Sequence, residues 1–74
     1  MNISIEYCVQ WDYWPQASSL AAVIKQELGI TAGYIKSGNG KFEIVVNGEL
    51  LYSKKATGKF PATNDIVEKL KSLQ

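Results

Sequence analysis

The chain has 74 residues, of which 8 are lysines and 7 are acidic, with no arginine and no histidine, so its formal net charge is +1. A chain this short buries only roughly 60 % of its unfolded surface, so its apolar residues are needed for stability and an enzyme with a large pocket is disfavoured. Without histidine, the commonest general base and a principal zinc ligand are missing, which disfavours hydrolytic and metal chemistry.

The first half of the chain predicts a strand followed by a helix. Residues 2–7 alternate with period two, which places Ile3, Ile5 and Tyr7 on one face of a half-covered strand. After Pro15 the apolar residues recur at steps of three and four up to a capping glycine, which predicts a helix of about four turns. The apolar positions of that helix are Ala17, Leu20, Ala21, Ile24 and Leu28, and the capping residue is Gly29.

Three strands are predicted in the second half, over residues 30–36, 41–46 and 49–54. The residues at 37–40, Ser-Gly-Asn-Gly, tolerate the positive φ of a tight turn, so a hairpin is expected between the first two of these strands. Asn47-Gly48 is the strongest short hairpin signal in the chain and predicts a type I′ turn before the last strand.

A final helix is predicted after a loop at residues 55–60. Residues 61–64 lead into this helix, with Thr63 or Asn64 as the capping residue and Asp65 near the positive end of its dipole. Its apolar stripe comprises Ile66, Val67, Leu70 and Leu73.

These elements predict an α/β fold in the order β-α-β-β-β-α. A strand, crossover helix and strand normally form a right-handed parallel unit, whereas short turns join antiparallel strands. The expected architecture is a four-stranded mixed sheet with helices packed on it, a thioredoxin-like two-layer sandwich. One domain is expected to span residues 1–74.

The charges and the single cysteine restrict the compartment and the partners. The lysines are scattered among the acids, so no partnership with nucleic acid or with a membrane surface is predicted. A lone cysteine cannot close an internal disulfide, and Glu6 interrupts the position where a signal peptide would need a continuous apolar run. No apolar run approaches the roughly 20 residues of a membrane span, and the expected location is the cytoplasm.

The segment joining the first strand to the first helix is unusual because it carries the cysteine among several aromatic residues. With the later parts of the chain it resembles the selenoprotein W-like (Rdx) family over nearly the whole chain. The resemblance rests on Glu6-Tyr7-Cys8-x-x-Trp11-x-Tyr13-x-Pro15-x-Ala17, Phe42-Glu43-Ile44-x-Val46-Asn47-Gly48, Ser53-Lys54-Lys55 and Gly58-x-Phe60-Pro61.

The resemblance implies a small redox protein that exchanges thiols or selenols with glutathione or with protein thiols. Relatives carry Cys-x-x-Cys or Cys-x-x-selenocysteine in this loop, so Cys8 matches the first redox position and Trp11 occupies the second. Indole can neither attack nor resolve a disulfide, so Cys8 would act alone and an external thiol would release its mixed disulfide. No cofactor is expected, and glutathione would serve only as a thiol partner.

Two explanations of Trp11 remain open at the level of sequence. The second redox residue has been lost naturally, or tryptophan replaces a selenocysteine whose UGA codon differs from UGG by one base.

A different class of function is the alternative, a non-catalytic interaction module that uses the aromatic loop at residues 8–14. Tyr13, Trp14 and Phe60 are the candidate partner-binding residues. The competing structural roles are a core anchor for Phe60, cover for one end of the sheet by the loop aromatics, and a small apolar strand residue for Cys8.

Overall fold

The computed structural model describes residues 1–74, and its elements follow the predicted order with one additional short helix. None of its helices combines the length and apolar character needed to cross a bilayer. The elements are β1 (Ile3–Cys8), α1 (Trp14–Leu28), β2 (Gly33–Ser37), β3 (Phe42–Val46), β4 (Glu49–Ser53), α2 (Lys54–Thr57) and α3 (Thr63–Leu73).

Strand β1 lies inside a four-stranded sheet of order β2-β1-β3-β4. It pairs in parallel with β2, where Cys8 is opposite Ser37, and antiparallel with β3, where Ile5 is opposite Ile44. Strand β4 pairs antiparallel with β3 and leaves β2 at the other edge. The predicted mixed sheet is therefore confirmed.

The expected hairpin between β2 and β3 is wrong, because β1 lies between these two strands. At the end of β1, the N–H of Val9 donates to the carbonyl of Ser37 on one side, and the N–H of Cys8 donates to the carbonyl of Lys41 on the other. The turn at residues 38–41 does form, since the N–H of Lys41 donates to the carbonyl of Gly38 at 3.2 Å. It connects the two strands across the end of β1.

The core lies between one face of the sheet and the helices α1 and α3. The inward residues of β1 are the predicted Ile3, Ile5 and Tyr7, all buried. On the opposite face, Glu6 and Glu43 are half-buried and face each other across β1 and β3. The helical residues that complete the core cluster are Ala17, Leu20, Ala21, Ile24, Ile66 and Leu70.

The chain turns between β3 and β4 at the residues that the sequence indicates. Asn47 and Gly48 have φ values of 52° and 83°, the positive values that a type I′ turn requires at both central positions. The predicted hairpin is confirmed.

The segment after β4 differs from the loop predicted at residues 55–60. Lys54–Thr57 form the short helix α2, whose first turn is capped by the Ser53 hydroxyl accepting from the N–H of Ala56 at 3.1 Å. Gly58 ends the helix with a left-handed φ of 79°. A helix of four residues shows no apolar periodicity, which is why the sequence pattern missed it.

Helix α3 begins without the predicted side-chain cap. Its N-cap residue is Ala62, so the assignment of the cap to Thr63 or Asn64 is wrong. Asp65 lies in the first turn as predicted, whereas Leu73 at the far end of the expected apolar stripe is exposed.

Candidate functional site

Cys8 is the last residue of β1, and none of its surface is exposed to solvent. Cys8 interrupts the alternation of buried and half-buried residues along β1, because Tyr7 before it is also buried. The thiol is free and lies under the loop that joins β1 to α1.

The loop after Cys8 folds back over the end of the strand. The N–H of Asp12 donates to the carbonyl of Val9 at 3.0 Å, which closes a tight turn, and the N–H of Tyr13 donates to the carbonyl of Cys8 at 3.0 Å. Within this turn the N–H of Trp11 points at the Sγ of Cys8, 3.4 Å away. Asp12 takes a left-handed φ of 54°, a conformation that aspartate tolerates better than most residues. The backbone at position 11 is therefore held against the sulfur.

The indole of Trp11 extends from this loop to the turn between β2 and β3. It lies on the backbone of Gly40, where a Cβ would come within 3.0 Å of three of its ring carbons. It also meets the ring of Tyr13 edge-on, with centroids 6.1 Å apart and an interplanar angle of 82°. Even so, Trp11 is 61 % exposed. The indole thus bridges two loops while leaving most of its surface in water.

Tyr13 and Phe60 form a second aromatic contact that holds the loop to the segment before α3. Their rings are 4.7 Å apart in an edge arrangement, and Phe60 also packs on the buried Phe42 at 5.2 Å. The ammonium of Lys54 lies 5.5 Å from the centroid of Tyr13 and 5.2 Å from that of Phe60. Both rings are half-buried against the core, a placement compatible with the anchoring role considered for Phe60.

Trp14 belongs to a different aromatic group at the start of α1. Its ring lies 4.7 Å from Tyr34 of β2 and 5.6 Å from the buried Tyr7. Trp14 is 44 % exposed, and Tyr34 beside it is exposed to a similar extent. The three candidate partner-binding residues therefore do not converge, because Trp14 lies apart from the Tyr13 and Phe60 pair. Their assignment stays a prediction.

Charged and hydroxyl groups flank Cys8 in the sheet. Ser37 is its partner on β2, and Lys41 is its backbone hydrogen-bond partner just before β3. Both contact the carboxylate of Glu6, the Ser37 hydroxyl by donating a hydrogen bond of 2.7 Å and the Lys41 ammonium at 3.7 Å. The backbone partners of Cys8 in the sheet thus carry side chains that both contact Glu6, which lies two residues before Cys8 on β1.

A shallow groove of about 340 Å³ lies beside the loop, between the first turns of α1 and the segment before α3. Pro15, Gln16 and Leu20 line it on the helix side, and Phe60 and Pro61 line it on the other. Neither Cys8 nor Trp11 is among its lining residues. The groove is therefore a neighbour of the cysteine site and not a channel to the sulfur.

Several residues of the site were missed by sequence reasoning, namely Gly40, Lys41, Lys54 and Ser37. The sequence predicts Ser37 and Gly40 as turn residues and Lys54 as the last residue of a strand. The roles of Ser37 and Lys41 depend on β1 lying between β2 and β3, and no local pattern indicates that order. The Ser53-Lys54-Lys55 motif, one of those that carry the family resemblance, was the one sequence signal that pointed to Lys54.

Curated relatives cover almost the whole chain. It is 35 % identical over 72 residues to migration and invasion enhancer 1 of Mus musculus and 33 % identical over 72 residues to that of Bos taurus. In each case the match covers 96 % of this chain and 63 % of the relative, so the chain spans less than two thirds of the length of these proteins.

Solved structures share the fold. A selenoprotein W-related protein from Vibrio cholerae superposes with a TM-score of 0.84 at 24 % identity, over 97 % of this chain and 94 % of the other. A protein from Bordetella parapertussis gives the same TM-score at 23 % identity, over 99 % of this chain and 96 % of the other. The Rdx family model matches residues 2–72. The chain, with its thioredoxin-like sheet and its cysteine under the loop after β1, belongs to the Rdx family.

Proposed function

We propose that this protein exchanges thiols with glutathione or with protein thiols through Cys8 alone. The observation that carries the proposal is the 3.4 Å approach of the Trp11 N–H to the Cys8 sulfur. A loop with this fold holds residue 11 beside residue 8, which is the arrangement that a Cys-x-x-Cys pair needs. In this chain the side chain at position 11 is an indole, so only the cysteine can react.

The reaction consists of two successive thiol–disulfide exchange steps. The Cys8 thiolate attacks a glutathionylated partner, forming a Cys8–glutathione disulfide while the partner's disulfide breaks and the partner leaves as a thiolate. A glutathione thiolate then attacks the glutathione sulfur of the mixed disulfide, so that glutathione disulfide forms and Cys8 leaves as a thiolate. The electron pair passes from glutathione to the partner, and Cys8 ends as it began.

One feature beside Cys8 supports this chemistry. Nucleophilic attack requires the thiolate, and the Trp11 N–H is directed at the atom that would carry its negative charge. The Lys41 ammonium is paired with the carboxylate of Glu6. The site therefore offers a hydrogen-bond donor to a sulfur anion.

The burial of Cys8 sets the condition under which exchange can occur. Its sulfur has no exposed surface, and attack on a disulfide requires the two sulfurs to meet. The loop at residues 9–12 is exposed along its whole length and is the part of the site that can open without unfolding the sheet. We expect reaction to follow local opening of this loop.

The proposal is tested by incubating the folded protein with glutathione disulfide and measuring its intact mass. We expect one glutathionyl group per chain, attached at Cys8 and removed by excess glutathione, with circular dichroism unchanged throughout. Cys8→Ser is the matched control and acquires no adduct. A folded wild-type chain that gains no glutathionyl group during overnight incubation with excess reagent would contradict the proposal.

The second candidate function is a non-catalytic interaction module, and the exposure of Trp14 beside Tyr34 is the observation that favours it. Aromatic rings that remain exposed near one edge of a sheet are typical of surfaces that contact other proteins. The same glutathione experiment discriminates between the candidates, because the interaction module needs no reactive sulfur. An inert Cys8 in the folded chain would favour this second function.

A further inference from the structure

We propose that the Trp11 side chain is a cover that closes the loop over Cys8, and that the bare backbone of Gly40 is the surface on which the cover rests. The inference builds on the proposed function, because it concerns the regulation of the same sulfur. A disulfide-bearing partner would displace the indole from Gly40 before it reaches Cys8.

Contacts on both sides of the loop define the closed state. On one side the indole lies on Gly40, and on the other its edge meets Tyr13. The backbone N–H of the same residue contacts the Cys8 sulfur, so displacement of the side chain and uncovering of the thiol are mechanically linked.

The cover is placed to open readily. Trp11 is largely exposed, although Cys8 beneath its backbone is completely buried. Because the free energy that holds a side chain in place scales with the apolar area it buries, an indole this exposed is held weakly. Local opening of low-stability segments is common at sites where access must be controlled.

Gly40 permits the closed state for two separate reasons. Its φ of 69° lies in the left-handed region that glycine adopts without steric cost. It also has no Cβ, and one placed there would lie within 3.0 Å of three indole carbons. Replacement by alanine therefore adds backbone strain and, independently, pushes the indole off its resting surface.

The test measures the rate at which iodoacetamide alkylates Cys8 in Gly40→Ala, with intact mass as the readout. Gly29→Ala controls for strain, because Gly29 has a φ of 72° and no atom within 4 Å of its Cβ position. Gly38→Ala controls for substitution in the same turn, since only the flexible tip of Gln10 approaches it, at 3.8 Å. Urea unfolding of each variant gives the contribution of global unfolding, which is subtracted.

We expect Gly40→Ala to accelerate alkylation about tenfold over wild type after this correction, because opening of the loop limits the reaction. The two control variants should react within about twofold of wild type, as expected for substitutions that leave the loop closed. Equal rates for Gly40→Ala and Gly29→Ala would overturn the proposal.

A second pair of variants keeps the test decisive if Gly40→Ala does not fold. Trp11→Ala removes the cover without backbone strain and should give the same acceleration. Leu50→Ala is its control, because Leu50 is 60 % exposed on β4 and should leave the rate unchanged. A Trp11→Ala rate equal to that of wild type would overturn the proposal.

Different experimental results would refute the proposed cover and the proposed thiol exchange. If the cover variants accelerate alkylation but no variant forms a mixed disulfide with glutathione, the cover stands and the proposed function fails. If wild type and Gly40→Ala form the mixed disulfide at the same rate, the proposed function stands and the proposed cover is refuted.

Discussion

Replacement of Trp11 by cysteine should create a closable pair with Cys8. The N atom of residue 11 lies 3.4 Å from the Cys8 sulfur, and its Cα is one bond of about 1.5 Å farther, so this Cα lies within about 5 Å of that sulfur. Two cysteines can be bridged when their Cα atoms are within about 7 Å, and we expect a loop that holds residue 11 this close to the sulfur of residue 8 to meet that limit. We therefore expect the oxidised Trp11→Cys variant to lose the mass of two hydrogens and both reactive thiols.

The cost of the substitution follows from the exposure of the indole. Trp11 is 61 % exposed, so the substitution removes at most about 100 Å² of buried surface, or about 2.5 kcal/mol at ~25 cal/mol per Å². The reduced variant should lose no more than this. Closure of a four-residue loop restores about 2 kcal/mol in the chain-entropy model, so the oxidised variant should be nearly as stable as wild type.

The assay combines intact mass with urea unfolding of the oxidised and reduced forms. Trp11→Ser is the matched control for loss of the indole, because it cannot form a bridge. Leu50→Cys tests the specificity of closure, since strand geometry places that residue about 16 Å from Cys8, beyond bridging distance. A folded Trp11→Cys variant that never closes its disulfide under oxidising titration would refute the placement of residue 11 at the second redox position.

The remaining predictions concern stability and are read out by urea unfolding. Leu70→Ala should cost about 2 to 5 kcal/mol, because this fully buried residue of α3 packs in the core. Ser53→Ala should cost about 1 to 2 kcal/mol of stability, because it removes the hydroxyl that caps α2 by accepting a hydrogen bond from the N–H of Ala56 and that donates a 2.7 Å hydrogen bond to Glu43. A neutral effect would show that α2 needs no cap. Lys71→Ala should change stability by no more than about 0.5 kcal/mol, because its ion pair with α1 is exposed, and a larger loss would contradict that assignment.

Local sequence patterns predicted the elements whose residues carry a strong periodicity or turn signal. The alternation of Ile3, Ile5 and Tyr7 identified the inner face of β1, and the glycine at position 29 identified the end of α1, where it takes a φ of 72°. Asn47-Gly48 predicted its turn correctly because few residues other than these adopt two successive positive φ values.

The predictions from local sequence were wrong where the packing of the whole fold decides the local structure. A short turn such as residues 38–41 normally joins adjacent strands, but here it passes across the end of β1, because the parallel crossover placed β2 on the far side. Ala62 acts as the N-cap of α3 although better capping residues follow it at once. In both cases, tertiary packing outweighed a correct local preference.

The candidate site was predictable in its position and not in its contacts. The spacing from Cys8 to Trp11 and the family resemblance located the loop, which the structure places over the end of β1. The burial of the sulfur and the resting of the indole on Gly40 depend on a loop 29 to 32 residues distant along the chain, and no local pattern reports such a contact.

The rate at which glutathione disulfide modifies Cys8, measured as a function of urea well below the unfolding transition, tests most directly whether this cysteine reacts within the folded protein. Opening of the loop exposes little surface, so exchange through that opening should give a rate that is nearly independent of urea. Reaction through global unfolding would instead rise with the full urea dependence of the equilibrium transition. A nearly flat profile is expected for wild type, and a profile that follows global unfolding throughout would contradict thiol exchange by the folded chain.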